Sequence, residues 1–362
     1  MGISQYSKMN REFHQTTWDD RLRADWDAIL RLAIREDLGA EGDWTTNALV
    51  DEYAEGSAAV VARKPGVVAG LAAVEMTLKA VDPRLQWLPE LEDGQPVEQG
   101  SRAGIIRGPV RGMLSAERIV LNLICRLSGI ASLTRKYVEA VAGTKARIYD
   151  TRKTTPGWRR LEKYAVHRGG GWNHRTGLFE AVLIKDNHLA WGGGVKTELP
   201  AAPDESTGRM PVGSSKRKVN QPSPPALLPI GRGGNHFTAA EAVRIVREYV
   251  RQHRNTPFRS PLTPDLSPLI IEVEVDTLRQ LEEVLPIGPD IVLLDNMRPE
   301  QLRQAVALRD RLNAAVELEA SGGIDLQTVR AFAESGVERI SVGALTHSAA
   351  ALDFGLDWLE SK

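Results

Sequence analysis

Cysteine is almost absent from this chain of 362 residues, which contains only Cys125. A single cysteine excludes an intrachain disulfide and a metal site built from cysteine thiolates. The neighbouring residues Ile119, Leu121, Leu123 and Ile124 follow a helical apolar pattern. We therefore expect Cys125 to be a buried structural thiol rather than a nucleophile.

Long apolar runs and an excess of charge of one sign are also missing. No run of about 18 apolar residues occurs, which argues against a membrane-spanning helix. The first residues are polar and lack the apolar segment of a signal peptide. We therefore expect a cytoplasmic protein without a membrane partner. The net charge of −1 argues against a general nucleic-acid coat, so any site for an anion must be local.

Positive charge is concentrated in one stretch, Asp150 to His188. The stretch contains eight Lys and Arg residues, four acidic residues and three of the seven histidines. One strand-like run precedes it and another lies within it, at Ala181 to Ile184. Both runs are followed directly by cations. This concentration predicts that several cations converge on a small polyanion.

The first third of the chain predicts a small domain of mixed structure. An amphipathic helix is predicted over Asp25 to Leu38, and short β-like runs broken by Gly and Pro follow it. We expect an N-terminal α+β domain over residues 1–127, with residues 1–20 as a loose arm. At the other end of the chain, we expect residues 346–362 to form a helix that packs back towards this domain.

A long helical region joins the N-terminal domain to the rest of the chain. Ser115 is the predicted N-cap of a helix over Ala116 to Ala142, with an interruption near Ser128 and Gly129. Arg118 lies in the first turn of this helix, where the helix dipole disfavours a cation. It is either a solvated surface arginine or a residue that reaches across to an anion, and the pattern leaves both open.

Residues 128–345 alternate between strand-like and helical patterns. The alternation predicts βα units and a parallel sheet, as an α/β barrel or a doubly wound sheet. No GxGxxG follows the first strand, which disfavours a dinucleotide-binding sheet. The strand-like runs are Ala146–Tyr149, Ala181–Ile184, Leu269–Val275, Asp290–Leu294, Val316–Ala320 and Arg339–Val342.

One segment interrupts this alternation. Residues 192–237 are rich in Pro, Gly and Ser and have little periodicity, so we expect an exposed loop insertion. Its basic triplet at 216–218 is typical of solvated charge, and we expect no nucleic-acid partner. After the insertion, Thr238 and Glu241 form a capping box that predicts a helix through Arg254.

Polar or glycine residues follow every predicted strand of the alternating region. In an α/β barrel the site lies at the carboxyl ends of the strands, so this pattern predicts one shared site. The residues concerned are Arg152, Lys153, Lys185 to His188, Glu272, Glu274, Asp295, Asn296, Ser321 to Gly323 and Gly343.

These residue types correspond to different roles. Arginine and lysine bind carboxylates and phosphates, and we favour the same role for His174 beside Arg175. Glu274 and Asp295 among so many cations are typical of a hydrated Mg²⁺ that bridges phosphate oxygens. They would alternatively pair with lysines at the barrel rim. Glycine turns before helices let backbone N–H groups bind a phosphate. The residues therefore predict a barrel enzyme with a substrate that bears phosphate, a metal-bound polyphosphate and further anionic groups.

The motifs of the chain resemble those of the quinolinate phosphoribosyltransferase family, in family order from about Glu36 to Ser348. They are EDLGAEGDWTT, AERIVLNLICRLSGIAS, TRKTTPGWRRLEKYAVHRGGGWNHRTGL, LIKDNH, EVEV, LLDNM, EASGGI and ISVGALTHS. The resemblance implies an irregular, TIM-like α/β barrel with an N-terminal α+β domain. It also implies a homodimer, or a higher oligomer, with sites shared between subunits. The implied reaction joins quinolinate and phosphoribosyl pyrophosphate, with Mg²⁺, into nicotinate mononucleotide, pyrophosphate and CO₂ in de novo NAD biosynthesis.

The resemblance also implies a role for each matching residue. Quinolinate would be held by Arg152, His174, Arg175 and Lys185, together with Arg118 from the partner subunit. Lys153, Glu274 and Asp295 would be catalytic, and the two acids would hold Mg²⁺ directly or through water. The 5′-phosphate would be bound by Ser321, Gly322, Gly323, Val342, Gly343 and Ala344. The other cations of the stretch, Arg159, Arg160, Lys163 and Arg168, would be surface or interface charges.

Other functions remain open on the sequence. One is a different enzyme on the same fold, either a nicotinate-type phosphoribosyltransferase or a phosphosugar lyase with Lys185 as a Schiff base. Another is a non-catalytic ligand-binding relative, such as the homologues associated with molybdenum transport. The complete set of carboxylate-binding cations argues against the latter.

The implied reaction needs no general base, because a pyridine nitrogen has no proton to lose. This agrees with the stretch from Asp150 to His188, which is rich in cations and poor in obvious bases.

Overall fold

The structure is a computed structural model that describes residues 12–191, 237–253 and 269–359. The first 11 residues of the expected arm and nearly all of the expected insertion, up to residue 236, lie outside the described residues. Within the described ranges, no helix combines the length and the apolar character that crossing a bilayer requires.

The secondary structure of the described ranges alternates as the sequence predicts in the second half of the chain. The helices are α1 (Asp20–Leu38), α2 (Trp44–Leu49), α3 (Val74–Val81), α4 (Val110–Ala140), α5 (Arg159–Arg168), α6 (Asp186–Trp191), α7 (Ala239–His253), α8 (Leu278–Val284), α9 (Pro299–Leu312), α10 (Val329–Ala333) and α11 (Ala344–His347). The strands are β1 (Glu55–Ala62), β2 (Gly66–Val67), β3 (Gln86–Pro89), β4 (Pro96–Val97), β5 (Arg102–Pro109), β6 (Arg147–Tyr149), β7 (Val182–Ile184), β8 (Ile271–Val275), β9 (Ile291–Asp295), β10 (Glu317–Ser321), β11 (Arg339–Ser341) and β12 (Phe354–Trp358).

The N-terminal domain is built on an antiparallel sheet with the strand order β12-β1-β5-β3. The expected helix over residues 346–362 is therefore wrong, because its last described part is the strand β12. This strand pairs with β1, with Ala58 opposite Trp358 and Ala62 opposite Phe354. The segment does return to the N-terminal domain, but it does so by adding an edge strand. Its alternation, with Phe354 buried and Asp357 more exposed, is a strand pattern.

Helix α4 connects the N-terminal domain to the barrel and differs from its prediction at two places. It begins at Val110 instead of Ser115, and it continues through Ser128 and Gly129. The two small residues serve close packing instead of a break. The Ser128 hydroxyl accepts a hydrogen bond from the Ala69 N–H at 2.9 Å. A Cβ on Gly129 would lie 2.1 Å from the carbonyl oxygen of Ala350, so only glycine allows this approach.

The second sheet confirms the expected α/β barrel. Its six strands are all parallel and follow the order β6-β11-β10-β9-β8-β7. Strands β7 to β11 are neighbours in chain order, and β6 lies beside β11, as in a circular arrangement. A doubly wound sheet would reverse its order part-way. In the described residues β6 and β7 do not pair with each other, so the barrel is irregular and has a seam.

Alternation along the barrel strands separates an apolar outer face from a charged inner face. Val273, Leu294 and Leu318 point outward into the main hydrophobic cluster with the helices. Glu319 and its neighbour in register, Arg339, lie on the other face and are fully buried. Because successive residues of a strand face opposite sides, each strand contributes residues both to the hydrophobic core outside the barrel and to the barrel interior.

Residues 12–16 enter the barrel, so the expectation of a loose arm is wrong for the part of it that the structure describes. Phe13 is 3% exposed and packs with Tyr149, Ala181 and Ile291. The Glu12 carboxylate accepts hydrogen bonds from Arg147 and Tyr149. It also lies 3.1 Å from the guanidinium of Arg339. The arm thus contributes the apolar side chain of Phe13 and a carboxylate that pairs with Arg147 and Arg339.

A buried ion pair links the start of the positively charged stretch to helix α5. Lys163 and Asp150 are both fully buried, and the Lys163 ammonium donates to the Asp150 carboxylate. The expectation that Lys163 is a surface charge is therefore wrong. Arg160 does lie near the surface, where it is 3.3 Å from Asp25. The difference arises because Lys163 lies on the side of α5 that faces the protein interior. A charge buried there is tolerated only with a partner.

We predict that Lys163→Ala destabilises the fold by about 3–5 kcal/mol, because it leaves the Asp150 carboxylate buried without its counter-charge. Chemical denaturation would measure the change in the free energy of unfolding. Arg160→Ala is the matched control on the same helix and should cost less than about 1 kcal/mol. Equal losses in the two variants would contradict the structural role of the buried pair.

Candidate active site

The carboxyl ends of the barrel strands bring the predicted site residues to one rim. Arg152 and Lys153 follow β6, and Lys185 follows β7 directly. Glu274 is the penultimate residue of β8, and Asp295 is the last residue of β9. Because all six strands are parallel, these ends lie at the same edge of the barrel.

Two arginines form the most strongly cationic part of the rim. Arg175 is 5% exposed and donates to the carbonyl oxygen of Ala181 at 2.8 Å. Burial, and then the nearby charge of Arg152, lower the pKa of Arg175. In the part of the chain that the structure describes, the buried Nε of Arg152 has no hydrogen-bond partner. An anion between the two side chains would satisfy this donor and relieve the repulsion between the guanidinium groups.

Lys185 and Glu274 form an ion pair at the rim, with 2.5 Å between the ammonium and the carboxylate. The pairing that the sequence left as an alternative for Glu274 is therefore made in this structure. Glu274 is buried, whereas the Lys185 side chain is 43% exposed. His188 supports the turn, because its Nδ1 accepts the Lys185 backbone N–H at 2.9 Å.

Asp295 lies in an electrostatic setting that fits a hard cation. Burial raises the pKa of Asp295, and the carboxylates of Asp276 and Asp186 add to this effect. Lys185 and Lys153 oppose the shift. A divalent cation would relieve the repulsion among these carboxylates, and oxygen ligands of this kind suit Mg²⁺.

The first predicted phosphate turn, Ser321 to Gly323, has a backbone that requires glycine. Gly322 and Gly323 have φ values of 95° and 62°. A Cβ on Gly322 would lie 2.2 Å from Oδ1 of Asn296, the residue after Asp295. Helix α10 begins only at Val329, so this turn does not lead directly into a helix as the sequence suggested.

The second predicted phosphate turn, Val342 to Ala344, does lead directly into a helix, α11. A Cβ on Gly343 would lie 3.0 Å from Cδ of Lys153. The Thr346 hydroxyl donates to the carbonyl oxygen of Lys153 at 2.8 Å. The Lys153 side chain therefore lies across the second turn, which places an ammonium beside the predicted site of the 5′-phosphate.

His174 lies in the interior of the barrel, where its two ring nitrogens face different neighbours. Its Nδ1 accepts the Arg175 backbone N–H at 2.9 Å, and its Nε2 lies 2.9 Å from Glu272 and 3.7 Å from Glu319. Burial lowers the pKa of His174 to about 4, so the ring is neutral near pH 7. The ring is 5% exposed and stacks on Phe13, with 4.3 Å between centroids. In this conformation His174 supports Arg175 from beneath the rim.

The sequence pointed to Glu272 beside Glu274 on one strand face, but it did not reveal that Glu319 and Arg339 join Glu272 in a charged layer below the rim. Burial raises the pKa values of Glu272 and Glu319 to about 7, and Arg339 opposes both shifts. The alternation of β10 carried a signal for this layer, because Glu317, Glu319 and Ser321 share one face of a strand. The arm that reaches this layer carried no comparable signal.

Arg118 is the predicted site residue that the structure does not bring to the rim. It is exposed on α4, and no hydrogen bond or ion pair joins it to another predicted site residue within the described ranges.

Comparisons with known proteins identify relatives over most of the chain. The model of the quinolinate phosphoribosyl transferase C-terminal domain matches residues 130–212 and 235–357, and that of the N-terminal domain matches residues 43–128. The chain is 38% identical over 333 residues to the nicotinate-nucleotide pyrophosphorylase (carboxylating) of Mycobacterium leprae, which covers 91% of this chain and 95% of the relative. It is 34% identical to a probable enzyme of the same name from Bacillus subtilis, with 91% and 92% covered. Among solved structures, the nicotinate-nucleotide pyrophosphorylase of Francisella tularensis is similar with a TM-score of 0.72 and 31% identity, over 93% of this chain and 96% of that one.

We predict that Glu319→Gln becomes more stable relative to the wild type as the pH rises from 5 to 8. A pKa of about 7 for Glu319, raised from 4.5, means that the folded state binds more protons than the unfolded state between these values. Stability is then lost as the pH rises through the folded pKa, by up to about 3 kcal/mol for one such group. Denaturation at several pH values would measure the difference. The exposed Glu334→Gln is the control, and a difference between Glu319→Gln and wild type that is independent of pH would refute this account.

Proposed function

We infer that this chain, which belongs to the quinolinate phosphoribosyltransferase family, carries out the family reaction at the rim of its barrel. It transfers a phosphoribosyl group from phosphoribosyl pyrophosphate to quinolinate and releases CO₂, which yields nicotinate mononucleotide and pyrophosphate in NAD biosynthesis. The observation in the structure that carries this conclusion is the pair Arg152 and Arg175: the buried Nε of Arg152 has no partner among the described residues, and the charge of Arg152 lowers the pKa of Arg175. Such a pair suits a substrate with two adjacent carboxylates.

On the quinolinate side, Arg152 and Arg175 would each offer planar donors to a carboxylate. Lys185, which follows the edge strand β7, would add a point charge. To do so it would give up its contact with Glu274 and bind the substrate. Direct contact of His174 with quinolinate stays a prediction. Its buried ring and its bond to the Arg175 backbone support at least an indirect contribution to the same pocket.

On the phosphoribosyl side, Lys153, Glu274 and Asp295 would act together at the carboxyl ends of β6, β8 and β9. Glu274 and Asp295 would hold Mg²⁺, directly or through water. When bound, the ion would neutralise charge on the pyrophosphate oxygens. The Lys153 side chain lies against Gly343, so its ammonium would bridge the bound phosphate and the departing pyrophosphate. The turns at Ser321 to Gly323 and Val342 to Ala344 would donate backbone N–H groups to the 5′-phosphate.

The proposed mechanism depends on position and charge and not on a general base. Arg152 and Arg175 would fix the pyridine ring so that its nitrogen faces the ribose carbon. Lys153 would stabilise the negative charge that builds up on pyrophosphate as it leaves. Once the nitrogen is alkylated, the cationic ring accepts the electron pair of the bond to the C2 carboxylate. CO₂ then departs and C2 takes up a proton.

We also propose that two copies of the chain share their active sites. Helix α2 lies against the start of α4, where Arg111 donates to the Val50 carbonyl oxygen at 2.7 Å. Beside this contact, the large apolar residues Trp44, Leu49 and Tyr53 are 76–82% exposed. Exposed large apolar residues of this kind are typical of an interface, and Arg118 is exposed on the same helix α4. If a partner subunit covers this surface, Arg118 of one subunit would reach the barrel rim of the other.

The alternative functions have weaker support. A Schiff-base lysine must act as a free amine, whereas Lys185 donates to Glu274 as an ammonium at 2.5 Å. Borohydride trapping of a covalent adduct with a phosphosugar would restore the lyase alternative. The cytoplasmic location expected from the sequence stays a prediction.

We predict that the protein releases CO₂ when it is incubated with quinolinate, phosphoribosyl pyrophosphate and Mg²⁺. We expect Lys153→Ala and Asp295→Ala to lower turnover about 10²–10³-fold, as the loss of a charge-stabilising contact commonly does. Release of ¹⁴CO₂ from carboxyl-labelled quinolinate measures the rate.

The exposed Lys145→Ala, which removes a lysine outside the site, is the control and should retain wild-type turnover. Near-wild-type turnover of Lys153→Ala and Asp295→Ala would refute the roles of these residues. A wild-type protein that releases no CO₂ would refute the proposed function itself.

A separate prediction tests the shared site. Arg118→Ala and Arg175→Ala should each be inactive, because each removes one side of every quinolinate pocket. After the two variants are mixed and allowed to exchange subunits, we expect about a quarter of wild-type activity, since half of the dimers contain one intact site of two. The same mixing of Arg152→Ala with Arg175→Ala should restore nothing, because both residues belong to one subunit's rim. Absence of recovery in the first mixture would contradict the interface role of Arg118.

A further inference from the structure

The N-terminal arm binds directly to the loop that presents Arg175. The Gln15 amide oxygen accepts the Asn173 N–H at 2.7 Å, and the Gln15 amide nitrogen donates to the Asn173 carbonyl oxygen at 3.3 Å. The Thr16 N–H donates to Oδ1 of Asn173 at 2.7 Å. Asn173 is therefore held through its backbone and its side chain by two residues that lie more than 150 positions earlier in the chain.

Phe13 extends the same contact to the next residue of the loop. Its ring stacks on the His174 imidazole at 4.3 Å with 28° between the planes. The imidazole also lies near Glu272 and Glu319, and its Nδ1 accepts the backbone N–H of Arg175. The imidazole therefore lies between the arm and the barrel and links the arm to the Arg175 backbone.

The arm acts at the seam of the barrel, where neighbouring strands provide little support. Strands β6 and β7 are the two edges of the described sheet, and the loop between them contacts β6 through the bridge of Trp172 with Tyr149. The arm adds further contacts along this loop, since the His14 N–H donates to Glu180 at 3.1 Å. Glu180 in turn accepts from the Thr176 hydroxyl at 2.7 Å, so the arm contacts both ends of the turn that carries Arg175.

We propose that Phe13 and Gln15 are positioning residues for quinolinate binding, acting through Asn173 and His174 on Arg175. This inference rests on the proposed function. The polar contacts of Gln15 support it, because a residue that only filled the barrel would need no paired hydrogen bonds to one loop residue. The arm has no contact with Lys153 or the glycine turns among the described interactions, so its influence should be confined to the quinolinate side.

The test compares four single variants of the full chain in the CO₂-release assay. Phe13→Ala and Gln15→Ala remove the two positioning contacts. Phe13→Leu keeps an apolar side chain of similar volume. His14→Ala is the matched control, since the His14 side chain is exposed and its backbone N–H contact is retained. The KM for each substrate, the turnover number and the melting temperature are measured for each protein.

We expect Phe13→Ala and Gln15→Ala to raise the KM for quinolinate about tenfold, because small misplacements of a binding group are costly. The KM for phosphoribosyl pyrophosphate should change by less than about twofold, and Phe13→Leu should recover most of the loss. His14→Ala should match the wild type in every measurement.

Lower melting temperatures with an unchanged KM for quinolinate would overturn the proposal and leave the arm a purely structural element. Equal increases in both KM values would overturn it as well, because the effect would then not be specific to quinolinate. If Phe13→Ala does not fold, Gln15→Ala, with calorimetric titration of quinolinate, decides between the same outcomes. The wild-type rate in the same assay tests the proposed function separately.

Discussion

The buried ion pair between Lys163 and Asp150 holds the two parts of the quinolinate side together. The Lys163 ammonium also donates to the His174 carbonyl oxygen at 2.7 Å, and Asp150 accepts the His174 N–H at 2.9 Å. The end of β6, the inside of α5 and the loop before Arg175 are thereby joined at one point. A buried charge pair of this kind is costly to assemble and more costly to break, so it constrains the geometry of everything bound to it.

Charge inside the barrel is the second constraint on the structure. Glu272, Glu319 and Arg339 lie fully buried below the rim, where an apolar interior would have been simpler to pack. The carboxylate of Glu12 pairs with Arg339, and Phe13 packs beside it against Tyr149 and Ile291. The N-terminal arm is therefore part of the barrel interior, and the site loop depends on a segment far from it in the chain.

The site itself divides into two halves with different physical tasks. In the proposed function, the quinolinate half contains the cations Arg152 and Arg175, and the charge of Arg152 lowers the pKa of Arg175. The phosphoribosyl half combines carboxylates with glycine turns, where Gly322 permits the backbone to approach Asn296. Lys153 lies between the two halves. It follows β6 along the chain, and its side chain lies against Gly343 in the turn after β11. Charge stabilisation by groups already in position is the feature common to both halves.

The sequence alone was sufficient to predict the parallel α/β barrel, the strands that form it and the residues at their carboxyl ends. These properties are local, since strand alternation and the residues after each strand are determined within a few positions of the chain. Only the tertiary structure decided that Lys163 is buried, that Phe13 enters the barrel and that Trp358 belongs to a strand. Each of these outcomes depends on a partner elsewhere in the chain. Lys163 pairs with Asp150, Phe13 stacks on His174, and Trp358 pairs with Ala58 in the N-terminal sheet. A local pattern carries no information on such partners, because burial of a charge or an aromatic ring is determined by what packs against it.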